Sequence, residues 1–130
     1  LKKEDNRGFC MWCLIGSRDL ERYLDEGREI FLADLRERRD YEMGHICGAI
    51  NFPGDSWRLR ISEFPGDRLI VLYCYHGPNS LLVARALSAM GFQTADLYGG
   101  IEDTAESISL GRGSWVFQLF AQRVNSDVFR

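Results

Sequence analysis

The run Leu69-Ile70-Val71-Leu72-Tyr73 limits most sharply what this chain can fold into. Five consecutive apolar residues leave no face for water, so the segment reads as a strand buried on both sides. Such strands belong to parallel sheets, whose crossovers lay helices over both faces. The rest of the chain follows the same plan. Ile30 to Leu35 is a second continuous apolar run, Ala49 to Phe52 a short strand closed by Pro53-Gly54, and Gln93 to Tyr98 a further strand. Arg18 to Glu26 is expected as a helix with Ser17 as its cap, Leu20 and Leu24 on its apolar face and Gly27 at its end. Ser80 to Met90 is a second helix, with Arg85 and Ser88 on one face and the remainder free to be buried. Phe9 to Ile15 reads as a leading strand, and Arg36 to Glu42, with mixed charges, as a solvated loop or short helix. Asp55 to Phe64 has no clear period. Ile101 to Ile108 is a weak helix, and Trp115 to Val124 a last one whose Trp115, Phe117 and Phe120 are expected to fold back on the domain. The fold class is α/β, a central parallel sheet with helices on both faces.

At 130 residues the chain makes one domain. Sixteen Lys and Arg against nineteen Asp and Glu leave a net charge of -3, with no basic field to bind nucleic acid or an anionic membrane. No apolar run approaches the ~20 residues of a membrane helix, and no apolar stretch follows Leu1-Lys2-Lys3-Glu4 as it would in a secretory signal, so a cytoplasmic protein is expected. Four cysteines, Cys10, Cys13, Cys47 and Cys74, are too few and too scattered to staple a chain this long. They are expected as free thiols, which turns attention to the one that reacts.

Cys74 closes the strongest strand, and a helix begins a few residues later. In open parallel sheets, ligands bind beyond the carboxyl ends of the strands, where helix N-termini point. Loop amides and the positive end of the helix dipole can hold a thiolate there. Gly77 permits positive φ, so successive N–H groups can converge into an anion nest. Pro78 has no N–H, so the donors fall to Tyr75, His76, Gly77, Asn79 and Ser80. No Lys or Arg lies in the loop, which leaves His76 as its one titratable helper. A buried structural cysteine is the competing reading.

These segments resemble the rhodanese-like domains. Phe31 to Arg36, Tyr41 and Gly44 to Asn51 resemble the family's first signature. Leu69 to Ser80 is similar to its active-site strand and loop, Cys-Tyr-His-Gly being close to that of small single-domain thiosulfate sulfurtransferases. Ala89 to Phe92 with Gly99-Gly100 resembles the closing segment. The resemblance implies a domain over residues 15–108, preceded by an N-terminal extension or strand over 1–14 and followed by a helical extension over 109–130. It implies that Cys74 takes sulfur from a donor such as thiosulfate as a persulfide and passes it to cyanide, a thiol or a protein acceptor. Tyr75, His76, Gly77, Pro78, Asn79 and Ser80 would form the substrate cradle. No metal or organic cofactor is implied, and a monomer or homodimer is expected. The chain departs from the pattern at Cys47, where the family often has Pro, and at Thr104, where it often has Trp.

Three other readings compete. Related phosphatases and arsenate reductases need an Arg six residues after the cysteine, to clamp an oxyanion; here that residue is Ser80. A catalytically silent binding or regulatory module is the alternative within the family, though such modules usually lack the cysteine. Cys10-Met11-Trp12-Cys13 could hold half of a zinc site, a redox pair or a resolving partner for Cys74, but the plainer expectation is a strand that contains two cysteines. His45 is expected to fix a loop, Asp34 and Arg36 to form a structural pair, and Cys47 to be buried packing.

Overall fold

The computed structural model describes residues 2–4, 10–75 and 77–102. Six strands form one sheet: β1 (Lys2–Glu4), β2 (Cys10–Ile15), β3 (Ile30–Asp34), β4 (Ile50–Asn51), β5 (Leu69–Tyr73) and β6 (Thr94–Leu97). Their order is β1-β2-β6-β5-β3-β4, with every pair parallel except β1 on β2. β5 lies between β3 and β6, and all five of its residues are buried. Helices α1 (Ser17–Asp25), α2 (Arg38–Met43), α3 (Ser56–Leu59) and α4 (Pro78–Ala89) connect the strands, with a 3-10 turn over Ile61–Glu63.

The pleat of β5 divides the core in two. Leu69, Val71 and Tyr73 face one layer, built with Leu20 of α1, Ile46 and Leu97. Ile70 and Leu72 face the other, where Val83, Ala84 and Leu87 of α4 meet Trp57 of α3, Phe52 and Phe64. Each fully buried aliphatic side chain contributes roughly 1.5–3 kcal/mol relative to exposure. The alternation also sends Cys74, one residue beyond the strand, into the α4 layer.

The structure corrects several local expectations. The cap of α1 is Gly16, not Ser17: the Asp19 carboxylate reaches back to accept the Gly16 N–H at 2.9 Å. α4 begins at Pro78, two residues before the expected start, because proline suits a first helical turn whose N–H is unneeded. Arg36 does not belong to the wet stretch expected over Arg36 to Glu42: it is 6% exposed and forms the expected structural pair with Asp34. Cys47 is exposed rather than packed, since its neighbour Ile46 takes the core position and Gly48 turns the chain at φ 83°. β1 has no counterpart in the sequence reading, because a charged edge strand shows no apolar alternation. The helix expected over Trp115 to Val124, with Trp115, Phe117 and Phe120, lies outside the described residues, as does all but the start of that over Ile101 to Ile108.

Candidate active site

Cys74 is the first residue after β5, and it is 5% exposed. The loop turns sharply into α4 through Gly77, whose φ of 118° is costly for any residue with a Cβ. That conformation aims the Gly77 N–H at the sulfur, 3.1 Å from Cys74 Sγ. The carbonyl of the same residue accepts the first helical hydrogen bond, from Leu81 N–H at 2.9 Å. One glycine thus caps α4 and cradles the thiol. Ser80, buried in the first turn of α4, places its Oγ 3.4 Å from Sγ and donates to the Gly77 carbonyl at 2.9 Å. Ser80 Oγ also bonds Oδ1 of Asp96, a carboxyl on β6 that is 2% exposed. Burial pushes the Asp96 carboxyl up to about 6, against the opposing hydrogen bond from Ser80.

A second glycine holds the loop from the other side. At Gly100 a Cβ would lie 2.6 Å from the Cys74 carbonyl oxygen, so only glycine lets the two backbones meet. That closeness allows Ile101 N–H to donate to the Cys74 carbonyl at 2.9 Å and Glu102 N–H to that of Tyr75 at 3.3 Å.

The flank of the site is a buried polar network. Arg36 spans both oxygens of Asp34, with Nη2 2.8 Å from Oδ2, and the same Nη2 donates to the Gly44 carbonyl at 2.6 Å. Burial opposes the Arg36 charge most strongly of any single cause, but the hydrogen bond and charge of Asp34, with a smaller contribution from Tyr73, together raise its pKa. Asn51 bridges the carbonyls of Asp34 and Arg36, at 3.0 and 2.9 Å. The Tyr73 hydroxyl accepts the Ile46 N–H at 3.1 Å, and burial, with the nearby Asp34 charge, pushes its pKa well up. His45 stacks on Tyr41 with its Nδ1 2.8 Å from the Tyr41 carbonyl, so it fastens a loop. The Tyr75 hydroxyl donates to Asp40 of α2, a hydrogen bond that raises its pKa and ties the Cys74 loop to that helix. An open cavity of about 360 Å³ borders α2, lined by Arg38, Tyr41, Glu42, Asn51, Pro53 and Arg60. Both of its arginines are paired, Arg38 with Glu42 and Arg60 with Glu63.

Of the residues expected around Cys74, Gly77 and Ser80 touch the sulfur, Tyr75 turns its hydroxyl to Asp40, and Pro78 and Asn79 are exposed on the first turn of α4. His76 lies outside the described residues. Asp96, Asp40 and Gly100 were missed as site residues. Asp96 had a signal, being the one charged residue inside an otherwise buried strand. Cys13 packs on the α1 layer while Cys74 lies in the α4 layer, so the sheet separates them. Among the described residues no three His, Cys, Asp or Glu side chains converge as metal ligands, and no helix is long and apolar enough to cross a membrane. A buried thiol facing a loop amide at a helix N-terminus is equipped for nucleophilic attack with anionic intermediates.

Comparison with known proteins agrees with this fold. The model of the rhodanese-like domain matches residues 17–107. A thiosulfate sulfurtransferase GlpE of Coxiella burnetii is 33% identical over 76 residues, covering 58% of this chain and 71% of that protein. An HTH-type transcriptional regulator of Mycobacterium tuberculosis is 40% identical over 65 residues, 46% of this chain, and the chain spans only 29% of that regulator. Among solved structures, a rhodanese-related protein of Thermoplasma volcanium superposes with a TM-score of 0.66 at 27% identity, over 72% of this chain and 90% of that one.

Proposed function

The chain belongs to the rhodanese-like domain family, and on that premise we propose that it is a sulfurtransferase whose Cys74 carries sulfane sulfur as a persulfide. With thiosulfate as donor, the Cys74 thiolate attacks the outer sulfur. A bond forms from Sγ to that sulfur, the sulfur–sulfur bond of thiosulfate breaks, and sulfite leaves with the electron pair. An acceptor nucleophile then attacks the outer sulfur of the persulfide, and the thiolate returns as leaving group. Two displacements replace one difficult transfer.

The observation that carries this reading is the Gly77 N–H held 3.1 Å from Cys74 Sγ at the start of α4. A fixed donor in a buried site stabilises the Sγ thiolate, as attacking group and again as leaving group, without having to reorient. Neither displacement calls for a metal or organic cofactor. The partners proposed are a small sulfur-donor anion and a thiol or protein acceptor, met by a monomer or homodimer in the reducing cytoplasm, where such a thiol stays reduced. The Coxiella relative named for thiosulfate supports that donor.

Intact mass after thiosulfate exposure tests the proposal. We expect a gain of one sulfur, about 32 Da, lost on adding cyanide with release of thiocyanate and absent from Cys74→Ser. No gain in the unaltered chain would point to a silent binding module, and a gain surviving in Cys74→Ser would move the site elsewhere.

A further inference from the structure

Beneath the reactive loop, three groups stand in line with too few protons to satisfy all of them. Ser80 Oγ has one proton, yet it faces Cys74 Sγ at 3.4 Å, the Gly77 carbonyl at 2.9 Å and Asp96 Oδ1. When Asp96 is a carboxylate it claims a proton from Ser80, and the serine oxygen is left to accept from the thiol. When Asp96 is protonated it donates to Ser80, whose own proton is then free for the sulfur. Among the described residues the surroundings of the carboxyl are these. Leu14 of β2 and Leu72 of β5 are its paired neighbours, Thr94 on its own strand bonds the Ala84 carbonyl, and Arg85 of α4 lies over the Trp12 ring. Tyr98, two residues on, is 65% exposed. From the loop come Cys74 and Gly77, while His76 between them in sequence lies outside the described residues.

We propose that Asp96 is a positioning residue that shares one proton with Cys74 by way of Ser80. As the sulfur becomes anionic, the thiol proton passes to Ser80 Oγ while the serine hydroxyl proton passes to Asp96 Oδ1. The sulfur gains the negative charge that the carboxylate loses, and no proton leaves the site. Negative charge on Cys74 and on Asp96 therefore oppose one another through the shared proton. The raised affinity of Asp96 for a proton, with its midpoint near 6, suits it to this exchange. The inference rests on Cys74 being the reactive thiol and assigns a regulator of its charge that the sulfur chemistry alone does not require.

Carboxyl carbon NMR of Asp96 in the full chain, followed across pH, reads the pair directly. We expect two inflections in the unaltered protein, the later one where the thiol ionises, and its loss in Cys74→Ser while the earlier one persists. Alkylation of Cys74 by iodoacetamide gives a second reading. Its rate should rise with pH in two stages, which Asp96→Asn merges into one, about threefold or more faster at pH 7 because a nearby negative charge is gone. A single Asp96 inflection unmoved by Cys74→Ser would overturn the proposal, as would superimposable alkylation profiles. If Asp96→Asn fails to fold, the comparison with Cys74→Ser still decides. Paired titration without sulfur gain would sink only the sulfurtransferase reading, and sulfur gain without paired titration only this inference.

Discussion

Gly100 and Cys74 meet backbone to backbone: a Cβ on Gly100 would lie 2.6 Å from the carbonyl oxygen of Cys74. The contact is what brings Ile101 N–H to that same carbonyl at 2.9 Å. It makes the floor of the Cys74 loop a close approach of main chains, which side-chain adjustment cannot relieve.

Gly100→Ala is therefore expected to push the loop off the turn. The added methyl also meets a φ of 64° that residues other than glycine rarely adopt. The cost should be about 1–3 kcal/mol in urea denaturation, with slower alkylation of Cys74. Retention of both within error would show that the loop moves freely at this point.

Asp34→Ala leaves the Arg36 guanidinium buried without its carboxylate, although the Gly44 carbonyl remains. Breaking a buried pair from one side costs roughly 3–5 kcal/mol. The urea midpoint should fall accordingly, far more than in Arg38→Ala, whose ion pair with Glu42 is exposed and worth under about 1 kcal/mol.

Asp96 should give stability a distinctive pH dependence. Burial raises its folded-state pKa to about 6 from the ordinary 3.8, so between those values the native chain binds the extra proton. Stability from this group is present at low pH and declines as pH rises through that window, levelling above it. The size is on the order of 1–2 kcal/mol once solvent screening is allowed for. Asp96→Asn should lack the decline, which denaturation at pH 4.5, 5.5 and 7 would reveal. A parallel pair of curves would count against a buried acid.

Tyr75→Phe removes the hydroxyl that ties the loop to Asp40 of α2. The fold should survive, with a loss of about 0.5–1.5 kcal/mol. Amide hydrogen exchange should speed up at Gly77 more than in β5. Unchanged exchange at Gly77 would mean that the Gly100 contact alone fixes the loop.

Sequence determined the elements whose causes are local. An unbroken apolar run can only be buried on both faces, so β5 matches its expected residues, Leu69–Tyr73, end to end. A cysteine closing that run, followed by a glycine and a helix, must stand at the strand ends near a helix N-terminus, and it does. Tertiary structure decided what depends on residues far apart in the chain. The pairing of Arg36 with Asp34 was expected from the sequence, but the Gly44 carbonyl that completes the burial of Arg36 comes from beyond α2. Asp40 and Tyr75, separated by 35 positions, meet because α2 and the β5 loop share one end of the sheet. Asp96 reads as one acid in a short strand until β6 is laid beside β5 and α4 covers it. Periodicity records which face each residue prefers, whereas a charge buried against its own preference is settled by partners that the sequence does not place beside it.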